Sequence, residues 1–276
     1  MGIVGAFIVP HGAMILDRER ARQQKAEKLH DAMLETKKAI QNLRPEIIFL
    51  TSPHGISLSN DFAIYLNEKA SCSAEWNGEY EEFVCQVEIE TNYTEQLLGY
   101  LLEKETPISG LAAYTPSVEI KLRWGESVPL WFLKDIPAKY ILMSQPLKRL
   151  ENAVDMIPET LTLGNDLRLF FNKLDERVVI IISADLSHTH QKDGPYGFSE
   201  QAKITDKLLG QWAETLNEKL LTKKVASLLP EAKVCGFIGF VLIQGLMNRL
   251  TAYKPHLLLN EAPSYYGMMV VHYLKD

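Results

Sequence analysis

Short apolar runs alternate with longer amphipathic stretches along this chain. The apolar runs at 3–9, 46–51 and 178–183 predict β-strands, and the Val- and Ile-rich run at 178–183 is typical of a strand covered on both faces. The stretch 18–43 places apolar residues on one side of a charged helix. Other strands are predicted at 62–66, 83–89, 111–114, 139–144 and 267–273, and other helices at 94–102, 147–174 with breaks near Pro158 and Gly164, 199–215, 216–229 and about 231–249.

This alternation of strands and helices predicts an α/β protein. No Pro-, Gly- or Ser-rich linker divides the chain, so we expect residues 1–276 to form one domain. The predicted architecture is a three-layer sandwich with a mostly parallel or mixed central sheet between helical layers.

Composition narrows the classes of function. The net charge is −6 and no dense Lys/Arg block is present, which argues against a nucleic-acid partner. The most apolar helix candidate, 236–247, is too short to cross a bilayer, so no membrane association is expected. Three cysteines without a C-x-x-C pair favour a reducing, cytoplasmic location.

Two Pro-His-Gly turns follow predicted strands. Pro10-His11-Gly12 comes directly after 3–9, and Pro53-His54-Gly55 comes shortly after 46–51. Loops at strand ends carry ligands and chemistry in α/β proteins. We therefore interpret His11 and His54 as half of a metal site at one edge of the sheet.

Two further segments carry candidate chemistry. Asp185 and His188 follow the most apolar strand, and an acid beside an imidazole can fix its tautomer and raise its basicity. Glu231 and Cys235 are four residues apart and would share a face if a helix began at or before Glu231. Two histidines with one carboxylate are typical of non-haem Fe(II), whereas a thiolate ligand would shift the preference toward copper or zinc.

Each candidate also has a purely structural interpretation. Asp185 could cap a following helix, and Glu231 could complement a helix dipole in a first turn. Cys235 could pack in the core, and Glu261 could be a surface-loop acid. The spacing of the residues leaves these alternatives open.

The ordered set of four segments resembles the class III extradiol ring-cleavage dioxygenases, in their catalytic B-subunit (LigB-like) fold. The segments are Pro10–Gly12, Ser52–Gly55, Asp185–His188 and Glu231–Gly236, and the similarity runs from residue 3 to about 272. The stretch from Ser183 through Gly197 also resembles the Memo branch, whose proteins keep the fold but are not established ring-cleaving enzymes.

The resemblance implies a reaction and a set of roles. His11 and His54 would be ligands of Fe(II), and His188, aided by Asp185, would be the acid/base. The substrate would be a small catechol-like aromatic compound opened with O₂. Cys235 falls where ring-cleaving members have the Glu ligand and where the Memo branch has Cys. Family members work as heteromers or homo-oligomers, so the resemblance also allows a homo-oligomer.

At two positions this chain departs from the family pattern, and these departures suggest other metal ligands and other functions. Cys235 replaces the usual carboxylate, for which Glu231 or Glu261 would have to substitute. Trp124 replaces a second active-site histidine that the family usually has before Val128-Pro129-Leu130. The competing hypothesis is a Memo-like metal-binding or redox protein without ring-cleavage activity, and a third is a structural subunit that has lost the site.

Overall fold

The structure, a computed structural model, describes residues 1–275. Within these residues the strands are β1 (Gly2–Val9), β2 (Ile47–Ser52), β3 (Phe62–Tyr65), β4 (Lys69–Ser73), β5 (Val84–Glu88), β6 (Ile108–Leu111), β7 (Ile120–Leu122), β8 (Lys139–Ser144), β9 (Arg177–Ser183), β10 (Tyr253–Glu261) and β11 (Met268–Lys275). The α-helices are α1 (Arg18–Gln23), α2 (Glu27–Leu43), α3 (Thr91–Glu103), α4 (Trp124–Leu133), α5 (Arg149–Asn152), α6 (Ile157–Phe171), α7 (Glu200–Thr215), α8 (Leu229–Ala232) and α9 (Phe237–Met247).

Eight strands form one mixed sheet, in the order β10-β11-β1-β9-β2-β8-β3-β6. β9 lies between β1 and β2 and runs parallel to both, and β2 is also parallel to β8. The remaining strands, β5-β4-β7, form a small second sheet. The predicted α/β class with a mixed central sheet flanked by helices is confirmed.

This order brings the carboxyl ends of four neighbouring strands, β1, β9, β2 and β8, to one edge of the sheet. Val9 at the end of β1 pairs with Ser183 at the end of β9, and Ser52 at the end of β2 pairs with Ser144 of β8. The loops that follow these strands therefore start side by side. Ligands of open α/β sheets bind at such an edge.

Both faces of the main sheet are covered. Along β9, Val178, Ile180 and Ile182 pack into one hydrophobic core together with α6, α7 and α9. Val179 and Ile181 point to the opposite core, which contains residues of α2, α4 and the small sheet. Because successive residues of a strand face opposite sides, this arrangement explains why the β9 sequence is apolar without alternation.

Four predicted helices differ from the observed ones. The predicted helix 216–229 is a π-helix at Leu220–Val225 followed by a 3-10 turn at Ala226–Leu228. Residues 18–43 form two helices, α1 and α2, instead of one. Gly164 does not break α6: a Cβ there would lie 2.1 Å from the carbonyl oxygen of Leu242, so glycine permits close packing of α6 on α9. The predicted helix 231–249 begins only at Phe237, because Lys233 is left-handed (φ 56°) and ends α8.

The sequence did not predict β10, nor the small-sheet strands β4 and β7. β10 is the edge strand of the main sheet, where Pro255 is tolerated because an edge strand need not donate every backbone hydrogen bond. Among helices within residues 1–275, none combines the length and apolarity needed to span a bilayer.

Candidate metal centre

His11 lies two residues beyond β1 and is almost fully buried. Its Nδ1 is 3.0 Å from the Ser183 hydroxyl, and that hydroxyl donates its only hydrogen to the carbonyl oxygen of Gly125. Ser183 must therefore accept a hydrogen from His11 Nδ1. The neutral imidazole then has its free lone pair on Nε2, which is the state that binds a metal.

His54 follows β2 and meets His11 almost at a right angle. The ring centroids are 4.9 Å apart and the planes differ by 89°. On its other side the His54 ring stacks on Trp124, with centroids 5.0 Å apart and an angle of 25°. Gly125 makes this approach possible, because a Cβ there would lie 2.7 Å from the Cβ of His54.

Cys235 lies in the turn between α8 and α9. Its Sγ is 3.5 Å from His11 Nε2 and also donates to the carbonyl oxygen of Asp185 over 3.6 Å. A Cβ on the neighbouring Gly236 would lie 2.7 Å from that carbonyl oxygen. Glycine therefore lets the Cys235 turn sit directly on the loop that follows β9.

Together, His11, His54 and Cys235 form a ligand set of the right size for one ion. Each offers one ligand atom, and the three atoms lie within 4.8 Å of one another. Metal–nitrogen bonds of about 2.1 Å and metal–sulfur bonds of about 2.3 Å put neighbouring ligand atoms about 3–3.7 Å apart. Small side-chain rotations would therefore bring the three atoms onto one divalent ion.

The protonation states of these residues suit metal binding. Burial lowers the pKa of His11 well below its usual value and lowers that of His54 to about 3, so both imidazoles stay neutral at pH 7. Burial also raises the pKa of the Cys235 thiol. A divalent ion reverses this effect by displacing the thiol proton, so metal binding at Cys235 releases a proton.

Asp185 contacts His11, which differs from the sequence-based interpretation. Its Oδ1 accepts the backbone N–H of His11 over 3.0 Å, and its Oδ2 lies 3.3 Å from Nε2 of the same residue. Burial raises the pKa of the Asp185 carboxyl to about 8. Among the described residues Asp185 neither caps a helix nor hydrogen-bonds His188, so its observed contacts support His11 instead.

A hydrogen bond to a backbone carbonyl group fixes the tautomer of His188. Its Nδ1 lies 2.9 Å from the carbonyl oxygen of Leu186. A carbonyl can only accept, so Nδ1 carries the hydrogen and Nε2 carries the lone pair. The ring stacks on Tyr266 with centroids 5.5 Å apart and an angle of 19°. Burial lowers the pKa of His188, which keeps it a neutral base.

A cavity of about 380 Å³ opens on this cluster. His54, Cys235 and His188 line it together with Arg149 and the exposed Tyr196. Ligand pockets of this volume hold small organic molecules. Two of the candidate metal ligands, His54 and Cys235, therefore face the same space as the candidate base His188, and a substrate there could meet both.

A model of the protein family described as the catalytic LigB subunit of aromatic ring-opening dioxygenase matches residues 5–271. The chain belongs to this family. Protein CA_C1420 of Clostridium acetobutylicum is 24% identical over 218 residues, which make up 76% of this chain and 44% of that protein. This chain therefore spans less than half the length of that relative.

A solved structure has the same fold. The crystal structure of the uncharacterized protein JW3007 from Escherichia coli K12 aligns with a TM-score of 0.61 and 12% identity, covering 98% of this chain and 99% of that one. The match of the family model over residues 5–271 confirms the family resemblance inferred from the four segments. LigB-family proteins are in general extradiol dioxygenases.

The two acidic alternatives to Cys235 as a metal ligand lie away from the cluster. Glu231 is exposed on α8, and its carboxylate is within 3.4 Å of the Ser199 hydroxyl. Glu261, at the end of β10, pairs with Lys28 over 3.0 Å. Neither lies in the ligand group of His11, His54 and Cys235. The proposal that a nearby acid replaces the family's Glu ligand is therefore not supported by the geometry.

At the position where the resemblance to the family implies a second histidine, Trp124 forms an aromatic wall. Its ring packs on Trp76, with centroids 4.3 Å apart, as well as on His54. Trp76 is 49% exposed and comes from the turn between β4 and β5. The side of the cluster where a second imidazole would stand is thus filled by two indole rings.

Sequence reasoning did not assign a role to several residues of this cluster. Ser183 begins the segment that resembles the Memo branch, and its position at the end of the most apolar strand is the signal that could have found it. Tyr266 belongs to an adjacent pair of tyrosines before the last strand, which is a second such signal. Trp76 and Arg149 carry no local signal, because only tertiary packing brings them to the site.

Proposed function

We propose that this chain is a metal-dependent oxidoreductase of the extradiol type, with His11, His54 and Cys235 as the ligands of one Fe(II). The single observation that carries the proposal is the convergence of these three side chains from three separate loops. In this proposal the substrate is a small catechol-like compound, and bound iron would supply the chemistry that joins it to O₂.

His188 is the proposed catalytic base. Its Nδ1 donates to the carbonyl oxygen of Leu186, so Nε2 carries the lone pair, and burial lowers the pKa of the ring so that it is neutral near pH 7. It can therefore accept a proton from a substrate hydroxyl group in the shared cavity. Tyr266 stacks on one face of the ring and fixes its orientation.

Asp185 and Ser183 are proposed as positioning residues. Ser183 holds the tautomer of His11, and Asp185 holds the backbone of the same residue. Both act on the metal ligand and neither needs to contact substrate. Such partners orient a ligand and tune its basicity.

The proposal also covers the cellular location, the domain organisation and the self-association of the protein. Cys235 can bind a metal as a thiolate only if it stays reduced, and all three cysteines are free, so we place the protein in the reducing cytoplasm. We also propose that residues 1–276 act as one domain and that copies of the chain can associate, as family members do. No nucleic acid or membrane takes part in the proposed reaction.

A second candidate function is metal binding or redox chemistry without ring cleavage, as in the Memo branch. Two observations favour it. The third ligand is a thiol, which prefers copper or zinc, and Trp124 takes the place of a proton-transfer group. On this account Cys235 determines which metal is bound, and aromatic compounds are not opened.

The two candidates are separated by one reconstitution experiment. Protein freed of metal is loaded anaerobically with Fe(II) or with Cu, and each form is mixed with O₂ and a panel of catechols. Ring-opened products are followed by their yellow absorbance. The first candidate predicts ring opening by the Fe(II) form, and the second predicts tight Cu uptake without any product.

His188→Gln tests the base within the same experiment. We expect its turnover to fall by about 10²–10⁴-fold while its metal content stays the same. His256→Gln is the matched control, because His256 is an exposed histidine on the edge strand β10. Equal loss in both variants would contradict the assigned role.

A further inference from the structure

Arg149 is a buried cation in the wall of the candidate site. It is the first residue of α5, five residues after β8, and only 9% of it is exposed. Its side chain lines the same cavity as His54, His188 and Cys235. A guanidinium group therefore faces the space assigned to the substrate.

No carboxylate among the described residues neutralises this charge, and the one acidic group that acts on it is the Cys235 thiol in the same cavity. Nη1 of Arg149 donates to the carbonyl oxygen of Pro146 over 3.1 Å, and Nη2 donates to that of Pro53. Within residues 1–275 no carboxylate forms an ion pair with it, although Glu151 stands exposed at the cavity rim. Buried charges are normally paired, since desolvation of an isolated ion is costly.

The guanidinium group of Arg149 also has N–H donors that the two carbonyl oxygens do not use. An arginine has five N–H groups in a planar fork, and the two carbonyl oxygens use only part of them. A planar carboxylate or a phosphate is the partner that such a fork fits best. The two carbonyl contacts hold the group in place before any ligand arrives.

Apart from Glu151 and Lys233, the exposed residues that line the cavity are apolar or aromatic. Leu150 is 73% exposed, Val154 is 48% exposed and Tyr196 is 59% exposed. The cavity thus combines one fixed cation inside with apolar and aromatic surface at its rim. This combination favours a ligand that carries one negative group on an apolar ring.

We propose that Arg149 forms an anion-binding subsite, which selects substrates carrying a carboxylate or phosphate group on an aromatic body. This subsite adds a substrate preference to the proposed function. It depends on the proposed function in one respect, because it takes this cavity as the substrate site. Arg149 would orient the ring by its anionic end and leave the opposite end for the metal ligands and His188. An uncharged ring of the same shape would leave the cation unpaired and bind more weakly.

The test compares benzoate, phenyl phosphate and benzamide as probes. Binding of each to the full chain is measured by calorimetry, both as purified and after removal of metal with a chelator. The metal-free sample matters because benzoate could otherwise bind the ion itself. We expect benzoate or phenyl phosphate to bind at least about tenfold more tightly than benzamide in both samples. The tighter of the two anions identifies the group that the subsite prefers.

Two variants and one control assign the preference to a residue. Arg149→Gln should remove the preference for the anion, whereas Arg149→Lys should keep part of it, because a lysine retains the charge without the fork. Lys233→Gln removes an exposed cation from the same cavity and should leave the preference unchanged. Metal content and circular dichroism are recorded for every variant, because Arg149 also holds the carbonyl next to His54.

The outcomes separate this proposal from the proposed function. An anion preference that exists only with metal bound would assign the anion to the ion and overturn the subsite, while the metal centre would stand. A preference that survives in Arg149→Gln, or is absent in the unaltered protein, would also overturn it. If Arg149→Gln does not fold, the test relies on Arg149→Lys. An anion preference in Arg149→Lys as strong as that of the unaltered protein would then count against the proposal.

Discussion

The imidazole of His11 donates its Nδ1 hydrogen to the hydroxyl of Ser183, 3.0 Å away on the neighbouring strand β9. The same hydroxyl donates to Gly125 at the start of α4, so one serine connects a candidate metal ligand to the helix that carries Trp124. This connection leaves Nε2 as the ring atom of His11 that carries the lone pair and can bind an ion. The whole candidate centre depends on that orientation.

Replacing Ser183 with Ala should weaken metal binding without removing a ligand. The His11 ring would lose the acceptor that fixes its tautomer, and partners of this kind are worth about 10–100-fold in metal affinity. Competition with a chromogenic chelator measures the change. Ser187→Ala is the matched control, because Ser187 is also a buried serine after β9 and its hydroxyl has no partner among the described residues. Equal affinities of the two variants would contradict the role of Ser183.

Replacing Cys235 with Ser should remove a ligand. We expect the bound metal to fall well below one equivalent under conditions that saturate the unaltered protein, with the largest loss for copper and zinc, because these ions favour thiolate sulfur. Elemental analysis after gel filtration provides the measurement. Cys85→Ser, at a free cysteine on β5, should keep full occupancy. Full occupancy in Cys235→Ser would exclude the thiol as a ligand.

Replacing Trp124 with His would restore the residue that the LigB family usually has at this position. If proton transfer limits the reaction, ring opening by the Fe(II) form should rise by up to about 10²–10⁴-fold. Trp131→His, on the same helix, is the control and should bring no gain. An unchanged rate in the Trp124 variant with metal bound would show that the missing imidazole is not what limits this protein.

Glu126 should make stability depend on pH. Burial raises the pKa of its carboxyl to about 7, and the Tyr65 hydroxyl donates to it over 2.7 Å. The unfolded chain has a value of about 4.3, so between these values the folded state binds more protons and loses stability as pH rises. We expect a loss of about 3 kcal/mol from pH 4 to pH 8 that is absent in Glu126→Gln.

Urea unfolding of the chelator-treated protein across that pH range gives the comparison. The exposed Glu81→Gln serves as the control and should retain the slope of the unaltered protein. Subtracting one variant from the other removes the contribution of other titrating groups. Parallel curves for Glu126→Gln and Glu81→Gln would contradict the assignment.

The sequence predicted those parts of the site that follow from local pattern. His11 and His54 could be placed together because each comes just beyond an apolar run, and parallel strands end at one edge of a sheet. His188 could be placed there for the same reason. These inferences needed only the strand period and the topology of α/β proteins.

The contacts that orient the site were not predictable, because they join residues far apart in the chain. Asp185 holds His11 and not His188, since the chain after β9 continues beside the end of β1, where Ala184 donates its N–H to the carbonyl oxygen of Val9. The helix that was to carry both Glu231 and Cys235 does not form as one piece, because the left-handed Lys233 ends α8. Arg149 gave no signal at all, since a charged residue in a helical stretch is usually solvated.

The most direct test of the metal centre is an anomalous diffraction measurement on a crystal of the protein loaded with Fe(II) under anaerobic conditions. The account predicts one peak at the iron edge, within about 2.0–2.4 Å of His11 Nε2, a ring nitrogen of His54 and Cys235 Sγ. A peak that lacks any one of these three neighbours, or an ion held by Glu231 or Glu261, would contradict it.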